Sequence, residues 1–247
     1  DTSYVGFRHA FPKFQFLANF EVKTVHREFV NEIVENNKCV RGYVTSLHES
    51  YDCVGAFQTR NIPHHGHERI MRKMLEHCDH LVINPVLGPK KSGDVTKECL
   101  IEIFQHYFVG KYGGKISFFP ILANMYYAGP REAVHHALMR KSVGFDLFTV
   151  GRDHAGARGG YAPDAAMKLI KSCTPELGIN VLCHQGAIFC KQCDAVLLRG
   201  ECEHSEKSMV DISGTSFREC ISNRQLFHLA DHDMQSILHA GKVRVFE

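Results

Sequence analysis

The sequence predicts an α/β protein: a mostly parallel sheet covered by helices, with a small Cys/His-rich insertion and a helical C-terminus. Three observations predict it. From Cys53 onward, short apolar runs alternate with amphipathic stretches, the pattern of strands joined by crossover helices. The turns after those runs collect glycines, arginines and histidines, and in parallel sheets ligands bind at the carboxyl ends of the strands. Four potential metal ligands fall between Cys190 and His204.

The strands are expected at Cys53–Phe57, His80–Asn84, Lys115–Leu122, Leu147–Val150 and Asn180–Cys183. Helical periodicity lies between them. Glu68–His77 carries Ile70, Met71, Met74 and Leu75, and Thr96–Phe108 carries Leu100, Ile103, Phe104 and Tyr107. Arg131–Lys141 carries Val134, Ala137 and Leu138 behind Gly129-Pro130, a favourable first-turn proline. Ahead of the first strand, Phe-rich pieces (Phe7, Phe11, Phe14, Phe16, Phe20) precede a helix expected around Lys23–Glu35. Ser213, before Gly214-Thr215-Ser216, is placed to cap a further helix.

Composition narrows the function. An apolar fraction of 44% is ample for one large core, and 23% charged residues is ordinary for a globular domain. A net charge of +2 gives no global field for nucleic acid or a membrane surface. No run approaches the roughly 20 apolar residues of a membrane span, and no signal peptide is visible. Seventeen histidines would make the charge depend on pH near neutrality. Ten cysteines in a chain of this length suit small core residues and a metal site better than a disulfide scaffold, so a reducing cytoplasm is expected.

The turn after the first strand carries the most chemistry. It reads Gln58-Thr59-Arg60-Asn61, then His64-x-Gly66-His67 leading into a helix. Backbone N–H groups and the dipole at a helix N-terminus favour an anion, and Gly66 lets a phosphate approach without a Cβ in the way. The later turns repeat the theme with Gly88-Pro89-Lys90-Lys91-Ser92-Gly93-Asp94, Tyr127-Ala128-Gly129-Pro130-Arg131-Glu132 and Gly151-Arg152-Asp153-His154-Ala155-Gly156. Arg60 and Arg152 can each present a planar fork to a tetrahedral oxyanion.

These motifs, with Asn84-Pro85-x-x-Gly88-Pro89 and Ile212-Ser213-Gly214-Thr215, occur in an order over residues 53–220 that resembles the ATP sulfurylases (sulfate adenylyltransferases). The resemblance implies a Rossmann-like nucleotidylyltransferase fold and direct transfer of AMP from ATP to sulfate. By that resemblance Gln58 and Arg60, with the backbone at Ala155, hold sulfate. Thr59, Arg60 and Asn61 orient sulfate and the α-phosphate, and His64 and His67 stabilise the transition state and the leaving pyrophosphate. Gly151, Arg152, Asp153 and His154 then hold ATP beside Arg60, Asn61, His64 and His67. It further implies Mg²⁺ travelling with ATP, the partners ATP, sulfate, pyrophosphate and adenosine 5′-phosphosulfate, and a homo-oligomer. Members of the family usually have a sizeable domain before the Gln-Thr-Arg-Asn turn, whereas 57 residues precede it here, beginning at Asp1 rather than Met. Residues 1–50 are therefore expected to be a remnant of a larger N-terminal domain. Where the family often has arginine, this chain has Tyr126 and His65; an acceptor other than sulfate, such as a phosphonate, is the alternative.

Cys190-x2-Cys193-x8-Cys202-x-His204 offers three thiolates and an imidazole, the donor set of a tetrahedral structural Zn²⁺ site. Cys183, His184 and Cys220 are the substitutes, while Cys39, Cys53, Cys78, Cys99 and Cys173 are expected as core residues. Some bacterial and archaeal ATP sulfurylases carry a similar insertion just before the Ser-Gly-Thr stretch. The expected organisation is an N-terminal segment (1–50), a nucleotidylyltransferase domain (51–185), a zinc-binding insertion (186–212) and a helical C-terminal segment (213–247).

Overall fold

The computed structural model describes residues 27–88, 92–156, 160–241 and 243–247. Its centre is a five-stranded, all-parallel sheet of β1 (Val54–Phe57), β2 (His80–Ile83), β3 (Ile116–Phe118), β4 (Leu147–Gly151) and β5 (Asn180–His184), in the order β3-β2-β1-β4-β5. The chain steps outward from β1 through β2 to β3, then returns to the other side of β1 as β4. The carboxyl ends of β1 and β4 therefore lie side by side with their following turns diverging, which is the topological switch point where open α/β sheets bind ligands.

Alternation along the strands builds two cores. Phe57, Leu81, Ile83 and Leu147 enter one, beneath α2 (His65–Met74), the composite helix from Lys97 to Tyr112, α6 (Gly214–Ser222) and α7 (His232–His239). Val54, Ala56, Val82, Phe148 and Val150 enter the other, covered by α1 (Arg27–Leu47), α4 (Pro130–Ser142) and α5 (Ala165–Leu177). The apolar content of the strands is thus spent on both faces, as a parallel sheet requires.

The elements differ from their expected spans for local reasons. The first helix runs to Leu47, because Val40 and Val44, one turn apart, are fully buried against the sheet; Lys23–His26 and the five early phenylalanines lie outside the described residues. The third strand stops at Phe118: Pro120 has no N–H to donate, and pairing continues only as an isolated bridge between Val86 and Ile121. The Thr96 helix begins where expected, as α3 (Lys97–Ile101) with the Thr96 hydroxyl accepting from Cys99 N–H, but widens into a π-helix over Glu102–Phe108 and tightens to a 3₁₀ turn at Val109–Tyr112. Helix α5 was not foreseen; Pro175 sits in its last turn and obscures its end. The 190–204 region is not a bare knuckle but part of a three-stranded antiparallel sheet, β7 (Ala195–Leu198), β6 (Ala187–Cys190) and β8 (Met209–Asp211). Cys78 and Cys99 are core residues as expected, whereas Cys39 is exposed on α1.

Phe148 is the central load on the second core. It is fully buried, lies 5.3 Å beneath the buried Arg140 guanidinium and meets the His154 ring edge-on. Phe148→Ala should cost about 3–5 kcal/mol, read as a fall in the denaturant midpoint with the slope unchanged; a loss below about 1 kcal/mol would contradict this packing.

Candidate active site

The turn after β1 is built by two histidines that cap one helix. His64 takes the N-cap of α2 in an extended conformation, and its Nδ1 accepts from the His67 N–H at 3.3 Å. His67 Nδ1 accepts in return from the His64 N–H at 3.3 Å, and the two rings stack with centroids 3.8 Å apart. This is a capping box in which imidazoles replace the usual hydroxyl and carboxylate. Because both Nδ1 atoms accept, each neutral ring carries its proton on Nε2. That of His67 faces the Thr59 hydroxyl at 3.4 Å, and Thr59 Oγ1 also accepts from Asn61 N–H at 3.0 Å. Gly66 has its ideal Cβ position only 3.0 Å from the His64 ring and 3.1 Å from Ala187 Cβ, so a larger residue there would press on the histidine stack.

Burial sets the charge of these rings. Desolvation holds His64 well below the ordinary imidazole range and brings His67 down to about 3. At neutral pH they therefore act as N–H donors, not as cations, and they do not supply the pH-dependent charge that the histidine count suggested.

Three arginines give the cleft its positive side, each on a partner. Arg60 stacks 5.4 Å over the Tyr127 ring and lies 3.8 Å from Asp94, whose carboxylate also accepts from the Tyr127 hydroxyl at 2.7 Å. Arg218, on α6, donates to the Asn61 side chain. Ser213 caps that helix, its Oγ accepting from Ser216 N–H at 3.1 Å. Arg152 sits 3.6 Å from Asp211 at the end of β8.

The residues that the resemblance assigns to sulfate and ATP come together here. Arg60, Asn61, His64, His67, Asp153 and Ala155 line a cleft of about 310 Å³ with Arg152, while Gln58, Thr59, Gly151 and His154 line an adjoining pocket that shares Arg60 and His67 with it. Asp153 and Ala155 adopt left-handed backbone (φ 56° and 51°), which turns the chain sharply after β4. Pro89, Lys90 and Lys91 of the basic loop lie outside the described residues. His184 had been assigned only as a reserve metal ligand. The pairing of Gly151 with His184 at the ends of β4 and β5 instead carries it into the cleft, where burial lowers it to about 4. Asp211 was missed altogether; it is an ordinary strand-end aspartate in sequence, and only the packing of β8 against the cleft reveals it.

The four residues of the candidate metal site come together. Cys190, Cys193, Cys202 and His204 place their donor atoms within 4.8 Å of one another. The sulfurs of Cys190 and Cys202 are 3.5 Å apart, those of Cys193 and Cys202 3.6 Å, and His204 Nδ1 lies 3.1–3.5 Å from all three. A tetrahedral ion with thiolate bonds of about 2.3 Å and an imidazole bond of about 2.05 Å has edges of about 3.8 and 3.6 Å, so the cluster is slightly contracted but of the right shape and chemistry.

The depressed histidines give a pH signature. In the unfolded chain they take up protons near pH 6.5, whereas folded His67 and His184 do so only near 3 and 4. The unfolded state thus binds more protons below about pH 6.5, and folding stability should fall as pH drops from there toward 4. His67→Asn should flatten that fall in denaturant titrations at a series of pH values; an unaltered slope would contradict the neutral assignment.

The comparisons bear on the same region. The ATP-sulfurylase family model matches residues 38–227. The sulfate adenylyltransferase of Pyrococcus abyssi is 43% identical over 174 residues, 70% of this chain and 46% of that protein. That of Ignicoccus hospitalis is 42% identical over 172 residues, 68% and 44% of the two chains. The chain thus spans less than half the length of these relatives. In fold it is similar to a hexameric APS kinase from Thiobacillus denitrificans, with a TM-score of 0.59 at 15% identity over 82% of this chain and 39% of that one. Fold, site motifs and similarity over 190 consecutive positions agree: this chain belongs to the ATP-sulfurylase family.

Proposed function

We propose that this chain carries the catalytic site of a sulfate adenylyltransferase, which transfers AMP from ATP to sulfate to give adenosine 5′-phosphosulfate and pyrophosphate, or runs the reverse. The observation that carries the reading is the meeting of the Gln58–His67 turn with the 151–155 turn at the switch point of the sheet. A sulfate oxygen attacks the α-phosphorus, a new P–O bond forms, and the α–β bridging bond breaks with its electrons leaving on pyrophosphate. Sulfate is already an anion, so no protein nucleophile is needed and catalysis rests on positioning and charge stabilisation. Gln58, Arg60 and the Ala155 backbone are assigned to sulfate. Thr59, Arg60 and Asn61 align it with the α-phosphate. His64 and His67 donate hydrogen bonds to charge developing on the departing phosphates, and Gly151, Arg152, Asp153 and His154 hold the nucleotide.

Mg²⁺ would enter on the phosphates and neutralise their charge. Asp153 and Asp211 are the carboxylates along the cleft that could meet it, and two such groups suit an ion that arrives largely satisfied by phosphate and water. The Cys190, Cys193, Cys202 and His204 cluster is assigned to a structural Zn²⁺, which would cross-link β6, the β6–β7 turn and the segment before β8. We further assign residues 51–185 to the nucleotidylyltransferase domain, 186–212 to the zinc-binding insertion and 213–247 to the helical C-terminal segment, with 1–50 as an N-terminal segment. Homo-oligomeric assembly and a cytoplasmic location complete the proposal. No helix among the described residues is long and apolar enough to cross a membrane, and the thiol-rich metal site suits a reducing compartment.

Pyrophosphate release with MgATP and a panel of oxyanions tests the reading. Sulfate should give the highest rate, and release with a phosphonate but not with sulfate would sink it. Arg60→Ala should lower turnover by about a hundredfold or more with an unchanged circular dichroism spectrum; activity near that of the parent would remove Arg60 from its role. Metal analysis should find about one zinc per chain. Chelation or Cys202→Ser should lower the melting temperature, and a metal-free protein with the same melting point would exclude the structural ion.

A further inference from the structure

Beneath the cleft, two side chains from opposite sides of the switch point converge on one atom. Gln58 Nε2 lies 3.0 Å from His136 Nδ1, and His154 Nε2 lies 3.1 Å from the same nitrogen. Gln58 follows β1, His154 follows β4, and His136 stands between them on α4 with no exposed surface. The opposite ring nitrogen of His136 is 3.4 Å from Glu132 Oε1. The Glu132 carboxylate is itself fixed by the backbone N–H groups of Tyr126 at 2.8 Å and Ala128 at 2.7 Å. Burial, reinforced by the nearby Arg140 and His135, keeps His136 neutral.

A neutral imidazole nitrogen has either one lone pair or one proton. With the proton on Nε2, beside the Glu132 carboxylate, Nδ1 accepts one good hydrogen bond and two donors compete for it. With the proton on Nδ1, only His154 Nε2 could accept it, because the Gln58 amide nitrogen is a donor and would face the N–H without a bond. The competition therefore belongs to the tautomer with its proton on Nε2, the one that the Glu132 carboxylate at 3.4 Å favours. The other end of the Gln58 amide adds no anchor: its Oε1 is buried with no hydrogen-bond partner among the described residues.

We propose that His136 is a positioning residue that couples the acceptor and nucleotide halves of the cleft. This rests on the assignment above of Gln58 to the acceptor and His154 to the nucleotide. An oxyanion that draws the Gln58 amide toward the cleft leaves Nδ1 wholly to His154. The His154 turn is then fixed before ATP arrives, and each ligand tightens the other by the same factor.

Calorimetry on the full chain with α,β-methylene-ATP, which cannot release pyrophosphate, tests this with and without sulfate. In the parent protein sulfate should tighten the analogue about fivefold or more. His136→Asn puts a carbonyl oxygen with two lone pairs near the position of Nδ1, so both donors are satisfied together and the factor should fall close to one while each ligand still binds. Gln58→Ala removes one competitor and should tighten the analogue in the absence of sulfate, an effect that loss of a merely structural contact would not produce. Undiminished coupling in His136→Asn, or analogue binding in Gln58→Ala that is unchanged or weaker, overturns the inference. So does a parent protein that binds both ligands without coupling, which leaves the functional reading standing. A parent protein that binds neither ligand defeats that reading and this inference with it.

Discussion

The strand order β3-β2-β1-β4-β5 is the constraint on which the site depends, because it sets the carboxyl ends of β1 and β4 next to each other and sends their chains to opposite faces. The β1 turn feeds α2 on one face, and α4 lies against the other with Glu132, His136 and Arg140 buried toward the sheet. Neither half of the cleft is complete alone. Register then supplies the third wall, since the pairing of Gly151 with His184 brings the end of β5 level with the end of β4. Packing on both faces therefore acts at a distance on the chemistry: it holds the sheet, and the sheet holds two turns in one place.

Burial decides what those turns can do. Imidazoles exposed at a helix N-terminus would titrate near neutrality, but His64 and His67 are desolvated and locked into mutual capping, so they present fixed N–H groups. The cations are restrained as well, with Arg60 near Asp94, Arg152 near Asp211 and Arg218 on Asn61. Under the proposed function, positive charge already oriented before a polyanion arrives would leave little reorganisation for the reaction. The partners hold these guanidiniums in place and temper the field that an empty cluster of arginines would create.

The sequence made much of this legible, and the limits have physical causes. Five strands and helices α2, α3 and α4 were visible because parallel strands read as short apolar runs and amphipathic helices as a period near 3.6, while α1 was expected near Lys23–Glu35 and Ser213 marked the start of α6. The site turns were visible because glycine, arginine and histidine immediately after a strand form an unusual cluster. His184 and Asp211 were not recognised as part of the cleft, since their positions come from register and from packing between sheets, which local pattern does not encode. Helix α5 was hidden by Pro175, and the 102–108 segment looked like an ordinary helix because its widened turns leave no mark on apolar spacing. His136 looked like one more histidine on a helix. Its meaning lies in the two atoms that meet it from other elements.

The metal-ligand hairpin is tied to the cleft by more than its own fold. Arg69, on α2, reaches Glu201 through two hydrogen bonds of 2.5 and 3.1 Å, and Glu201 also accepts from Leu198 N–H at 2.7 Å. At the other end, Arg199 binds Asp211 at 2.8 Å and Glu206 at 2.6 Å, and Asp211 faces Arg152. Single exposed ion pairs of this kind contribute little stability. What they do here is geometric: the hairpin braces the helix that carries His64 and His67 and, separately, the turn that carries Arg152. Gly186, Ala187 and Ile212 of the same unit form part of the cleft wall. An ion held by Cys190, Cys193, Cys202 and His204, as proposed above, would thereby act on both turns at once. The insertion is better understood as the outer support of the site than as an appendage to it.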